Sequence, residues 1–365
     1  MLDLRSTATD AVYVIAEAGV NHNGSLELAL QLVDAAAEAG ADAVKFQTFK
    51  AEELASGGAP KARYQVRATG AAESQLAMLK RLELSAAAHR TLLARCRALR
   101  IDFMSSAFDA GSLRLLVSSL HLHTIKIPSG EITNAPLLLQ AAASGRQIIL
   151  STGMSTLGEI EQALGVLAFG YTQRGRKPTA AGFANALRSR IGQRRLKERV
   201  CVLHCVTDYP ARIEDVNLRA MDTLHDAFGL AVGLSDHTKG IAVAIAAAAR
   251  WARVIEKHFT LDRGMPGPDH RASLEPMELK AMIHGIRQVE SALGSARKGP
   301  TAAELRNQDV CRKSLVAGSD ISKGERYSAS NVAAKRAGHG RSPFEYWDLL
   351  GTPAPRRFRK DEPLE

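Results

Sequence analysis

His237 and His258 are the residues whose type and spacing most clearly ask for chemistry. Each sits just past the end of a short apolar, β-branched run, in VGLSDHTKG (232–240) and VIEKHFTLDRGMPGPDH (254–270), and a helical stretch, IAVAIAAAARWA, separates the two. A lone histidine at a strand end is ordinarily a hydrogen-bonded or solvated side chain. Two of them one strand-helix unit apart are different, because neighbouring parallel strands end on one rim. Two neutral imidazoles aimed at one point suit a divalent cation, and Glu256, Asp236 and Asp269 supply carboxylates nearby.

Other strand-like runs end the same way. VYVIAEAG runs into Glu17; DAVKFQTF carries Lys45 and Gln47; IDFMSSAFD ends in Ser105 and Ser106 with Asp109 placed to open a helix; HTIKIPSGEI delivers Lys126, Ser129 and Glu131; IILSTGMST ends at Ser151 and Thr152; VCVLHCVTDYP ends in His204, Thr207 and Tyr209. With Ser235 from the run before His237, these residues form a rim of lysines and hydroxyls that suits a small, highly anionic ligand bearing phosphate and carboxylate. STGMST adds hydroxyls and amides at a helix start, where the dipole favours phosphate. Glu17 and Glu131, beside the cation, are the candidate acid and base. His204 and Cys205 are adjacent on one strand and face opposite ways, which excludes a Cys/His nucleophile pair. Without a Walker loop or GxGxxG, a nucleotide cofactor has no support.

The elements that must position these groups alternate strand and helix eight times, the pattern of a (β/α)8 barrel whose active site lies at the strand C-termini. Ser25 is placed to cap the first helix. Residues 50–75 form an overlong connection read as a substrate-covering loop, and the basic stretch 170–199 reads as a surface helix or excursion without a catalytic role. From Cys311 the chain turns to short β-type runs rich in Gly and Pro. The expected division is a barrel over 1–294, a linker with a short helix over 295–310 and a small β-rich domain over 311–365, which at that size leans on a partner.

Composition limits the alternatives. The 45% hydrophobic and 24% charged content is that of a soluble globular protein. The net charge of +10, from 48 Lys and Arg against 38 Asp and Glu, is scattered, with local densities at 187–199 and 355–360 and no interleaved aromatics. That pattern argues against nucleic acid and for a generic basic surface or attraction of an anionic substrate. Four cysteines without a CxxC pair point to a reducing compartment. MLDLRSTATDA lacks an apolar signal core and the most apolar helix carries Arg250 and Arg253, so the expectation is a cytoplasmic protein with no membrane contact.

The segments IAEAGVNHNG, DAVKFQTF, KIPSGEITN, LSTGMS, LHCVTDYPA, GLSDHT, VIEKHFTLDR and PGPDH, followed by KRAGHG and YWDLLG, together resemble the sialic acid synthases from about Val12 to Glu365. The resemblance implies a TIM barrel joined to an antifreeze-like (SAF) domain. It implies condensation of phosphoenolpyruvate with N-acetylmannosamine and water to N-acetylneuraminate and phosphate, with C–O cleavage and Mn²⁺ or Mg²⁺ at His237 and His258. Lys45, Lys126, Ser129, Ser151 and Ser235 would contact phosphoenolpyruvate, Glu17 the reacting sugar, and Gln47, Tyr209 and Asp269 the amino-sugar side, with Glu131 and Glu256 in support. Arg336 would reach across a domain-swapped homodimer to hold the sugar's N-acetyl group. Two departures stand out: Lys335-Arg336-Ala337-Gly338-His339-Gly340 replaces the usual KRPGNG, and SSAFD replaces STPFD, leaving Ser105 or Ser106 for the carboxylate contact. N-acetylmannosamine is the default acceptor; a 2,4-diacetamido-trideoxy sugar, giving legionaminic acid, is the alternative. A Schiff-base aldolase using Lys126 or Lys45 and a non-enzymatic carbohydrate-binding protein are the readings from other classes.

Overall fold

Eight parallel strands form a closed barrel in the computed structural model, which describes Leu2 and residues 11–365. They are β1 (Tyr13–Gly19), β2 (Ala43–Thr48), β3 (Asp102–Ala107), β4 (Thr124–Ile127), β5 (Gln147–Ser151), β6 (Val200–Cys205), β7 (Ala231–Asp236) and β8 (Val254–His258), with β8 pairing back onto β1. Most of MLDLRSTATDA lies outside the described residues. No helix among the described residues is long and apolar enough to cross a membrane.

Side chains alternate across each strand, so each contributes every second residue to the interior. Lower in the barrel these are apolar, including Tyr13, Ile15, Met104, Ile149, Leu203 and Val254. One layer higher, towards the strand C-termini, they become Glu17, Lys45, Ser106, Lys126, Ser151, Ser235 and Glu256, all buried. The apolar plug closes one end, and the ionisable layer therefore opens only towards the rim. Gly233 is required on β7, since a Cβ there would stand 2.2 Å from the Val254 carbonyl oxygen.

The helices pack their apolar stripes around this barrel as the 3.6-residue period dictates. In the helix Leu26–Ala39, Ser25 accepts from the Leu28 amide at 3.3 Å and Gly40, at φ 85°, ends the run.

One segment differs from expectation. Residues 50–75 begin a packed layer of three helices, Ala51–Leu54, Arg63–Thr69 and Gln75–Leu82, where a loop is expected. Ser74 caps the last of these, and Met78, Leu79 and Leu82 bury with Val20, Phe49 and Ala51 into a satellite core over the rim. The basic stretch 170–199 holds two helices, Ala180–Arg188 and Arg190–Arg199, the first anchored by Phe183 edge-on to Phe169 at 5.3 Å.

The chain divides into Met1–Gly294 and Ser295–Glu365. The second unit opens with the helix Ala302–Cys311, then pairs β9 (Ser314–Ala317) antiparallel with β10 (Val332–Lys335). Its own small core gathers Leu315, Ile321, Tyr327, Leu349, Phe358 and Leu364.

Candidate functional site

Four ionisable groups meet in the upper layer of the barrel. The Lys45 ammonium lies 2.7 Å from Glu17 Oε2 and 3.6 Å from Glu256 Oε2, and donates to Ser106 Oγ at 2.9 Å. Lys126 donates to Glu256 Oε1 at 3.2 Å, and Ser235 donates to the same oxygen at 2.8 Å. Burial pushes Glu17 up to about 7; Lys45 offsets this in part and the Glu256 charge adds to it. Glu256 is equally buried, but the two lysines outweigh that penalty and hold it well below the usual carboxylate range. Lys45 is raised because Glu17 and Glu256 overcome its burial, whereas burial wins at Lys126 and lowers it. Two carboxylates balance two ammoniums only while Glu17 is ionised. A proton on that carboxyl, which burial favours, leaves the layer short of negative charge.

The imidazoles stand beside this layer, their ring centroids 5.5 Å apart. A centroid lies about 3.2 Å from a metal bound at ~2.1 Å through a ring nitrogen, so two imidazoles sharing one cation stand roughly 4.5–6 Å apart. His237 Nδ1 donates to the Val206 carbonyl at 2.6 Å, which leaves Nε2 as its acceptor nitrogen. His258 Nδ1 is buried without a hydrogen-bond partner among the described residues. Burial holds both rings below the usual imidazole range, His258 further because His237 is beside it, so both are neutral. Tyr209 packs on His237 at 4.2 Å and edge-on to His258 at 5.7 Å, and Tyr64 packs on Tyr209 at 4.7 Å.

These groups line a cavity of about 300 Å³ together with Gln47, Ser129, Ser151, Asp269 and the inner face of the helices over the rim. Ser129 Oγ accepts from the Gly153 amide at 3.0 Å and lies 3.1 Å from Cys205 Sγ. Ser151 Oγ is buried, has no hydrogen-bond partner among the described residues and lines the cavity. Gly153 leaves the space that this cluster needs: a Cβ there would meet Thr207 Oγ1 at 2.2 Å.

Several expected site residues lie elsewhere. Ser105 faces the helix layer and bonds Thr48 Oγ1 at 2.6 Å, so Ser106 alone of that pair reaches the cavity. Asp236, flanked by inward Ser235 and His237, points outward to Lys257 at 2.7 Å. Glu131 lies on a short 3₁₀ turn outside the cavity lining and accepts from Asn134 at 2.7 Å. The helix after STGMST starts at Leu157, and its terminus is already capped by Thr156 and Glu159, so the cavity receives Ser151 and Gly153's neighbourhood rather than that dipole. Arg336, expected to serve the barrel of a second chain, is exposed just past β10 in the second unit. Tyr64, Gln75 and Met78 line the cavity unforeseen; the i, i+3, i+4, i+7 spacing of Gln75, Met78, Leu79 and Leu82 is the signal that reveals the last two.

A NeuB family model matches residues 32–298, and a SAF domain model matches 312–365. The chain belongs to the NeuB family. This NeuB protein is 48% identical over 349 residues to the N,N'-diacetyllegionaminic acid synthase of Campylobacter jejuni, covering 96% of this chain and 97% of that one. It is 44% identical to the enzyme of the same name from Legionella pneumophila, covering 93% and 89%. The human N-acetylneuraminate-9-phosphate synthase is more distant, at 31% identity over 93% and 87%. Among solved structures, the sialic acid synthetase of Leptospira borgpetersenii with citrate superposes with a TM-score of 0.67 at 32% identity, covering 82% of this chain and 91% of that one. The NeuB chain is thus a transferase of the N-acetylneuraminate synthase type. N-acetylmannosamine, the acceptor expected by default, fits the relatives less well than its diacetamido alternative.

The imidazole pair passes the test for a divalent cation: both rings are neutral, one is fixed through Nδ1, and the other keeps a buried nitrogen unsatisfied. No group of three or more His, Cys, Asp and Glu converges among the described residues, so the remaining ligands would be oxygens of solvent and substrate. Calorimetry with Mn²⁺ on the wild-type protein is expected to show one site, weakened at least 100-fold in His237→Ala and in His258→Ala. Unchanged Mn²⁺ affinity in both variants would refute that assignment.

Asp269 has burial as the cause of its shift, which pushes its carboxyl up to about 6. The fold binds that proton more tightly than the unfolded chain does. The resulting stability is complete below about pH 4 and is lost as pH rises through 6, a swing of at most about 3 kcal/mol. Thermal melts of metal-free protein should show Asp269→Asn gaining on the wild type between pH 4 and pH 7; parallel curves would contradict the assignment.

Proposed function

We propose that the protein condenses phosphoenolpyruvate with a 2,4-diacetamido-2,4,6-trideoxy-mannose and water to give N,N'-diacetyllegionaminic acid and phosphate. The observation that carries this reading is the 48% identity over nearly the full length of a synthase of that name, against 31% for the human N-acetylneuraminate-9-phosphate synthase. The charge pattern supports the donor. Lys45 and Lys126, under-neutralised when Glu17 holds a proton, match a phosphate and a carboxylate on three carbons.

The enol carbon of the donor attacks the aldehyde carbon of the open-chain acceptor, leaving positive charge at the donor's C2. Water adds at C2, and the tetrahedral adduct expels phosphate with the bridging oxygen, so the C–O bond breaks. Glu17, poised near neutral pH, can supply the proton that the aldehyde oxygen needs as it becomes a hydroxyl, and can take one from the attacking water. Glu256 stays ionised between the lysines and holds both ammoniums in place. Ser106, Ser129, Ser151 and Ser235 offer hydroxyls to the donor's oxygens. Tyr209 and Tyr64 keep the imidazoles shielded on one side. A divalent cation, Mn²⁺ or Mg²⁺, held by His237 and His258 would supply Lewis acidity towards the aldehyde.

A homodimer belongs to the same reading, with Arg336 of one chain serving the N-acetyl group in the other's barrel. Its exposure beside β10 leaves the guanidinium open to such a contact. The cytoplasm, where phosphoenolpyruvate is available, is the compartment this chemistry requires.

A phosphate-release assay with both acceptors tests the proposal. The diacetamido sugar is expected to give a kcat/KM at least tenfold above N-acetylmannosamine, with ¹⁸O from the bridging position appearing in phosphate. Preference for N-acetylmannosamine would sink the acceptor assignment, and label in the ketoacid would sink the bond assignment.

A further inference from the structure

The cavity has two unlike ends. Its floor is the lysine and glutamate layer, whereas its outer wall is one face of the helix Gln75–Leu82, which turns Gln75, Met78, Leu79 and Leu82 inward and leaves Lys80 and Arg81 exposed. Met78, Leu79 and Leu82 are only 1%, 8% and 7% exposed, packed with Val20 and backed by Phe49. Ser74 fixes the helix start through the Ala77 amide at 3.1 Å, and Thr69 Oγ1 touches the Met78 sulfur at 3.8 Å, so this wall is held in place.

An apolar wall discriminates by what it leaves unpaired. The two acceptors share the aldehyde end and the 2-acetamido group. They differ at C4, hydroxyl against acetamido, and at C6, hydroxymethyl against methyl. A hydroxyl pressed on Met78 or the leucines loses its water without a replacement partner, whereas a methyl gains from the same contact. Gln75, at the polar end of the stripe, offers both a donor and an acceptor, which is what a second amide needs.

We infer that the helix Gln75–Leu82 is the acceptor-selecting element, with Met78 packing the deoxygenated C6 end and Gln75 pairing with the second acetamido group. The inference rests on the acceptor reading above and names the residues that enforce it. Among the described residues no ion pair or side-chain hydrogen bond joins Gln75 or Met78 to the lysine and glutamate layer, so the effect is expected on the acceptor and not on the donor.

The test compares kcat/KM for the two acceptors, by phosphate release, in wild type, Met78→Gln and Gln75→Ala, with thermal melts of each. The ratio of diacetamido sugar to N-acetylmannosamine is expected to fall at least tenfold in Met78→Gln and at least fivefold in Gln75→Ala. The loss should lie mainly in the KM of the diacetamido acceptor, with the KM of phosphoenolpyruvate unchanged. Gln75 is half-buried and outside the apolar cluster, so its variant decides the matter should Met78→Gln fail to fold. A wild-type preference for the diacetamido sugar with ratios unchanged within twofold in the folded variants overturns the inference alone. A wild-type preference for N-acetylmannosamine overturns the acceptor reading on which it stands.

Discussion

Two lysines and two glutamates buried in one layer of a closed barrel set the terms for the rest of this molecule. An unpaired charge in such a place costs several kcal/mol, so each group is tolerable only while the others stay in position. The barrel supplies that rigidity: Glu17, Lys45, Lys126 and Glu256 come from four different strands, and the ladder register that pairs Glu17 with Lys45 fixes the distance between them. Below lies an apolar plug and above lies the cavity, leaving a small anion at the rim as the natural completion of the layer. Glu256 anchors both ammoniums and stays ionised, while Glu17 is the member free to exchange a proton.

The imidazoles depend on the same frame. His237 follows the last residue of β7 and His258 ends β8, so their separation comes from strand spacing rather than from a flexible loop. A carbonyl after β6 fixes the tautomer of His237, and Tyr209 and Tyr64 form a stack of rings on it. The outermost ring of that stack is delivered by the helical layer over the rim. The segment that selects the acceptor and the segment that screens the imidazoles are therefore one piece of chain.

Much of this was legible in the sequence because parallel strands advertise themselves: apolar runs ending abruptly in lysine, serine, glutamate or histidine place eight rim positions without coordinates. The strand parity that separates His204 from Cys205 sorts the other rim residues as well. Ser105 and Asp236 each neighbour an inward residue, and a strict two-residue alternation turns them towards the helices. Glu131 was harder, since a three-residue 3₁₀ turn carries no periodicity from which its direction follows. The helix Gln75–Leu82 hid behind the Gly, Ala and Pro content of residues 55–72, although its own stripe is regular. The acceptor is ambiguous for the same reason: the residues proposed to read donor and aldehyde lie on strand ends, whereas those proposed to read C4 and C6 of the sugar lie on the covering helix.

The most direct test of the charged layer as a receptor built for the donor is calorimetric titration of phosphoenolpyruvate into metal-free protein, wild type against Lys126→Met. The wild type is expected to bind the donor without cation or acceptor. The variant, whose layer has lost the ammonium least compensated by its neighbours, should bind at least 100-fold more weakly while keeping its Mn²⁺ affinity within about threefold. Equal affinity of the two proteins for phosphoenolpyruvate would contradict the claim that this layer holds the donor.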